Sequence, residues 1–158
     1  MTATSSPWRI VRDNLTDPDV VALVELHLRA AHENSPPGSV FALDLTGLRD
    51  PRVTVWSAWD GDRVVGLAAL KQLADNHGEL KSMRTAPNFL RRGVARMLLD
   101  HVIAQAQARG YRRISLETGT AASFTAAHAL YEHTGFTACE PFGPYSDRVF
   151  AAYYTMDV

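Results

Sequence analysis

The sequence predicts an α/β fold, a central mixed sheet with helices on both faces. Three observations carry this. Runs rich in Val, Trp and Leu alternate with segments of helical period along the 158 residues. Two of those runs, 53–59 and 63–70, flank Asp60-Gly61-Asp62, a short turn that closes an antiparallel hairpin. Residues 79–118 read as strand, loop, helix and strand, a right-handed crossover between parallel strands. A chain holding both a hairpin and a parallel crossover requires a mixed sheet.

The elements follow in order. Residues 1–7 are small and polar and read as a frayed terminus, with no apolar stretch of the kind a secretory signal needs. Residues 8–12 alternate and form a first strand. Asp17 caps a helix that has Pro18 at its first position and Val20, Val24, His27, Leu28 and Ala31 at helical spacing. Asn34-Ser35-Pro36-Pro37-Gly38 breaks it. A second helix is expected over about 39–48, ended by Asp50-Pro51. After the hairpin, Asn76-His77-Gly78 turns into a strand over 79–85, and Pro87 stops it. Residues 90–95 lead into a helix that ends near Arg109-Gly110. A strand over 113–118 and a helix over 124–133, stopped by Gly135, come next. Short strands at 136–139 and 150–156 enclose the loop 141–144. The order is β α α β β β α β α β β, read as one domain over 1–158.

Composition narrows the function. The formal net charge of −1 gives no general attraction for nucleic acid or an anionic membrane. No apolar run approaches the length of a bilayer span. Cys139 is the only cysteine, so no internal disulfide can form, and the cytoplasm is the expected compartment. The six histidines lack ligand spacing, so no metal is expected.

The most informative segment is 85–96. A loop entering a helix presents unpaired backbone N–H groups, reinforced by the helix dipole. Gly93 permits close approach, Ala95 keeps the first turn uncrowded, and Arg91, Arg92 and Arg96 add positive charge. This composes an anion cradle suited to a pyrophosphate. A solvated basic helix start is the other reading. The glycine pattern of nucleotide-binding loops is absent, as is their acidic ribose-binding residue.

Arg92-Gly93-Val94-Ala95 resembles the phosphate-binding loop of the GNAT N-acetyltransferases, Gln/Arg-x-x-Gly-x-Gly/Ala, with Leu90 departing at its first position. Leu130-Tyr131-Glu132-His133-Thr134-Gly135-Phe136 resembles the family's second motif, Leu-Tyr-x-x-x-Gly-Phe, with Phe124 where the family often has Asn. The phrases at 78–85, 116–120 and 139–145 are similar to a YsnE-type bacterial branch. The resemblance implies a sheet whose two central parallel strands splay apart to admit an acyl-CoA, with acetyl-CoA as donor. Val94 belongs to the same loop. Met83 and Thr85, with Arg84 between them, would present backbone groups to the pantetheine arm in the manner of an added strand.

Attack of an amine on a thioester needs a base for the amine and is helped by an acid for the leaving thiolate. Glu79 is the candidate base: it lies six residues before Thr85, which puts both side chains on one face of the strand. An ion pair with Lys81 is its structural alternative. His77 is a second base or shuttle, or simply an exposed turn residue. Glu117 could face the substrate or be a satisfied buried carboxylate. The family match makes Tyr131 the candidate acid, against a plain core tyrosine. His32, Ser35, Tyr145 and Asp147 are candidates for recognising the acceptor, a small amine, amino acid or peptide N-terminus. A homodimer is left open. A catalytically silent acyl-CoA sensor is the alternative function.

Overall fold

A computed structural model describes residues 7–158; residues 1–6, most of the terminal segment expected to fray, lie outside the described residues. Seven strands form one sheet in the order β1-β2-β3-β4-β5-β7-β6. They are β1 (Arg9–Arg12), β2 (Val53–Asp60), β3 (Arg63–Ala74), β4 (His77–Thr85), β5 (Arg113–Gly119), β6 (Thr137–Ala138) and β7 (Ala151–Asp157). Every neighbouring pair is antiparallel except β4 and β5.

The helices are α1 (Pro18–Asn34), α2 (Leu45–Leu48), α3 (Val94–Ala108) and α4 (Thr125–Thr134). Asp17 caps α1 by accepting from the Asp19 amide at 2.8 Å, with Pro18 at the first position. Val20, Leu23 and Val24 face the sheet and bury Leu67 and Ala69 of β3. On the opposite face, Val94, Leu98, Val102 and Ala106 of α3 make a stripe at four-residue spacing over Ala68 and Leu70. Gly66 lets α3 approach β3: a Cβ there would meet Val94 at 2.8 Å and Leu98 at 2.9 Å. Leu98 is wholly buried in this cluster. Leu98→Ala is therefore expected to cost about 2–5 kcal/mol of stability in urea unfolding.

Three details depart from the sequence reading. The second helix spans only Leu45–Leu48, because Asp44 accepts from the Gly47 amide at 2.9 Å and starts the helix there. Residues 39–44 are left irregular. His77 is the first residue of β4 and pairs with Ala74 and Arg113, so it is not a turn residue. Most consequential is a β-bulge in β4. Leu70 pairs with Leu80 and Ala69 pairs with Ser82, leaving Lys81 as the extra residue.

The bulge reverses which face each later side chain takes. Thr85 pairs with Gly66 on the α3 face, whereas Glu79 pairs with Lys71 two places from Ala69 on the α1 face. The expectation that Glu79 and Thr85 share a face is thus corrected, since it assumed an unbroken period of two. Arg84 points to α1 for the same reason.

Candidate active site

The parallel pairing of β4 with β5 runs only from His77↔Arg113 to Leu80↔Leu116. From Lys81 on β4 and Glu117 on β5 the strands separate. β5 remains zipped to β7 through Gly119, and β4 remains paired with β3 through Thr85. The edge of β4 at Ser82–Thr85 therefore faces a gap with no strand partner among the described residues. A bulge adds local twist, and this one sits at the first separated residue. A backbone edge left unpaired inside a protein must find other partners, and an extended amide-bearing chain supplies them.

A cavity of about 280 Å³ runs through this gap. Its walls are His27, Ala30, Ala31 and Asn34 of α1, Ser35, residues 39–42, the end of β4, Glu117–Gly119 of β5, and Phe124, Ala127 and Tyr131 beside and on α4. It joins the α1 side of the sheet to the α4 side. The Phe124 ring covers Gly119, where a Cβ would lie 2.2 Å from it. An aromatic wall thus stands at Phe124.

The loop before α3 has a left-handed residue at Arg91 (φ 62°) and another at Gly93 (φ 90°). Gly93 is the N-cap and offers no side chain to the first amides of α3. Those N–H groups stay available to an anion. A Cβ at Gly93 would meet nothing within 4 Å, so the space above the loop is open. Arg91, Arg92 and Arg96 are exposed around it, and Ala95 is half-buried. Val94 instead points into the core. Arg92 lies over the Phe89 ring at 5.2 Å, and Arg96 pairs with Asp100 at 3.1 Å. Met83 packs against the α3-side core while its backbone lines the gap.

Glu79 is 3% exposed, and its carboxylate is closed over by two partners. Tyr145 donates to it at 2.5 Å, and Lys81 pairs with it at 3.4 Å. Lys81 also donates to the Tyr145 hydroxyl. Tyr145 stacks edgewise on Phe41 and Phe142, which holds it over the pair. Burial, with the Glu79 carboxylate beside it, pushes the Tyr145 phenol far above its ordinary range. Lys81 reaches the cavity, whereas Glu79 does not line it. His77 is part of a polar network next to it: Nε2 lies 2.7 Å from Ser115 Oγ, which is 3.0 Å from Thr155 Oγ1. Burial lowers its pKa, helped by Arg113 and opposed by Glu79.

Glu117 lies directly on the cavity. Burial raises its pKa from 4.5 to about 7; Lys81 opposes the shift, and Glu79 and Asp147 add to it. Tyr131 is 8% exposed, and its ring packs against Phe136 and Tyr154. Burial and the Glu117 carboxylate push its phenol up to about 12, against the pull of Arg84. It stays protonated at neutral pH. The site therefore holds a carboxyl poised near neutrality and a phenol able to donate, both facing one cavity.

Ser35 lines the cavity, and His32 does not. Asp147 ties the tail loop to the segment after α1. It accepts from Ser39 Oγ at 2.6 Å and from the Val149 and Phe150 amides. Sequence reasoning missed Lys81, Ser82 and His27 as wall residues. A charged residue and a serine inside a strand were the only local signals. Among the described residues no group of three or more His, Cys, Asp or Glu could hold a metal ion. No described helix is long and apolar enough to cross a membrane.

Residues 20–136 match the model of the acetyltransferase (GNAT) family. The chain is 56% identical over 138 residues to the uncharacterized N-acetyltransferase YedL of Escherichia coli (strain K12), covering 87% of each chain. It is 53% identical over 135 residues to the uncharacterized N-acetyltransferase YsnE of Bacillus subtilis (strain 168), covering 85% of this chain and 89% of that one. A Klebsiella pneumoniae structure assigned as an acyl-CoA N-acyltransferase superposes with a TM-score of 0.79 at 25% identity, over 95% of this chain and 97% of that one. A GNAT acetyltransferase structure from Elizabethkingia anophelis with acetyl-CoA bound has a TM-score of 0.70 at 19% identity, over 98% of this chain and 100% of that one. The split sheet, the glycine-capped α3 and the matches together make this chain a member of the GNAT family, and an acyltransferase.

Proposed function

We propose that the chain transfers an acetyl group from acetyl-CoA directly to a primary amine of a small molecule, amino acid or peptide. The observation that carries this is the gap between β4 and β5, lined on one strand by an unpaired backbone edge and on the other by Glu117. The pyrophosphate fits the α3 N-terminus at Arg91, Arg92, Gly93, Ala95 and Arg96. The pantetheine amides fit the backbone of Met83, Arg84 and Thr85. The bound acetyl-CoA named for the Elizabethkingia structure supports the choice of donor. The lone, unpaired Cys139 supports a reducing compartment, the cytoplasm.

In this reading the amine nitrogen attacks the thioester carbonyl carbon. A C–N bond forms and the C–S bond breaks. The proton leaving the nitrogen goes to Glu117, and the departing thiolate takes the Tyr131 proton. Glu117 is preferred over Glu79 as base because it faces the cavity. One observation favours a second route: Lys81 reaches the cavity and contacts Glu79, which receives the 2.5 Å hydrogen bond of Tyr145. In that route Glu79 collects the proton through Lys81 or Tyr145, and His77 is a further relay. Glu79→Gln and Glu117→Gln, assayed side by side, separate the two, because only the variant of the true base loses the rising limb of the pH profile.

Tyr131→Phe tests the acid. It is expected to lower kcat at least about tenfold, with acetyl-CoA affinity unchanged in titration calorimetry. An interaction made only in the transition state appears in kcat and not in binding. Unchanged kcat would leave Tyr131 as a core residue.

A further inference from the structure

We infer that the acceptor is a free amino acid, its carboxylate held by Arg84 and Ser82 and its amine presented to Glu117. The inference rests on the acetyltransferase reading above and narrows its acceptor.

Arg84 and Ser82 project from β4 to the α1 side of the gap, two residues apart on one face. The Arg84 Nε–H donates to His27 Nδ1 at 3.0 Å. That bond fixes the guanidinium against α1 and needs a neutral His27 ring. Burial, with the Arg84 guanidinium beside it, lowers the His27 pKa to about 4, so the ring is neutral at pH 7. Arg84 forms no ion pair with any carboxylate among the described residues, although it is half-buried. A partly desolvated guanidinium without a counter-ion is costly, and its planar fork fits a carboxylate.

Ser82 is the independent second sign. It is 3% exposed, it lines the same cavity, and its hydroxyl has no hydrogen-bond partner among the described residues. Buried hydroxyls are normally satisfied, and a carboxylate oxygen would satisfy this one. The other cation of the cavity, Lys81, is already neutralised by Glu79.

Across the gap stands Glu117, on the opposite strand and without an ion pair among the described residues. An unpaired cation on one wall and an unpaired carboxyl on the other complement an ammonium and a carboxylate in one small molecule. A peptide N-terminus offers the amine but replaces the carboxylate by an amide. Arg84 also points away from the face on which α3 packs, so it is poorly placed for the pyrophosphate.

The test uses the full chain and matched acceptors: alanine, alaninamide and ethylamine, then phenylalanine, phenylalaninamide and phenethylamine. Thiol release from acetyl-CoA gives kcat/KM for each. The inference expects each amino acid to exceed its amide and its amine by about 100-fold or more. In Arg84→Gln that ratio should collapse toward one, chiefly through KM, while Arg84→Lys retains part of it. Calorimetry with N-acetylalanine and N-acetylalaninamide reads carboxylate recognition without turnover. If Arg84→Gln fails to fold, the wild-type ratios and the calorimetry still decide. Equal rates for acid, amide and amine would overturn the inference and leave the transferase standing. Loss of acetyl-CoA affinity in Arg84→Gln would assign Arg84 to the donor and also overturn it. Binding of N-acetylalanine that depends on Arg84, with no thiol released by any amine, would uphold the carboxylate subsite and reject the transferase reading.

Discussion

Glu117→Gln is expected to lower kcat by about 10²–10⁴-fold, the usual cost of removing a general base. Its signature is pH dependence. In the wild type the carboxyl is raised to about 7 by burial, so kcat/KM should climb through that region as the proton leaves. The groups that set the value are Lys81, which favours the charged form, and Glu79 and Asp147, which oppose it; Tyr131 faces it from α4. Gln keeps the shape and abolishes the climb. Stability should move the other way. A carboxyl whose folded pKa lies above its unfolded 4.5 contributes stability below about pH 4.5 and loses it as pH rises through 7. Glu117→Gln should therefore gain on the wild type between pH 5 and pH 8, by roughly 1–3 kcal/mol. Urea titrations at the two pH values check this. A slower enzyme with an unaltered pH profile would assign the base elsewhere, with Glu79 next.

The second large effect is on donor binding. Gly93→Asp should weaken acetyl-CoA affinity at least tenfold, about 1.4 kcal/mol. The added carboxylate would stand at the α3 N-terminus, where the proposal seats the pyrophosphate. A Cβ at Gly93 meets nothing, so packing is spared, although φ of 90° strains any side chain. Gly93→Asn carries the same strain without the charge and should lose much less. Equal affinity in all three proteins, by calorimetry, would remove the pyrophosphate from this loop.

The sequence exposed those parts of the fold that depend on local chemistry. The Asp17-Pro18 cap, the Asp60-Gly61-Asp62 turn and the Gly93 entry to α3 each announce themselves within a few residues. Tyr131 was legible because Gly135 and Phe136 follow it at a recognisable spacing, and the structure places it on the cavity. The bulge at Lys81 was not legible. One extra residue in a strand leaves no compositional mark, yet it reverses the faces of Ser82, Met83, Arg84 and Thr85. The pairing of Tyr145 with Glu79 spans 66 residues, that of Arg84 with His27 spans 57, and that of Ser39 with Asp147 spans 108. Such contacts are set by topology, and no local pattern encodes them. The helix expected over 39–48 shows the same limit from the other side. Val40, Phe41 and Ala42 are spent on the cavity wall, and Asp44 caps only the last turn.

In the proposed reaction the β4–β5 gap brings donor and amine together for direct transfer. Initial rates with acetyl-CoA and an amine both varied test it most directly, with the N-acetyl product identified by mass spectrometry. Direct transfer gives stoichiometric thiol and N-acetylated product, and intersecting double-reciprocal lines, as a ternary complex requires. Tight acetyl-CoA binding with no thiol released across the amine series would contradict it and mark the chain as a silent binding module. Parallel lines with an acetylated protein would contradict the direct route.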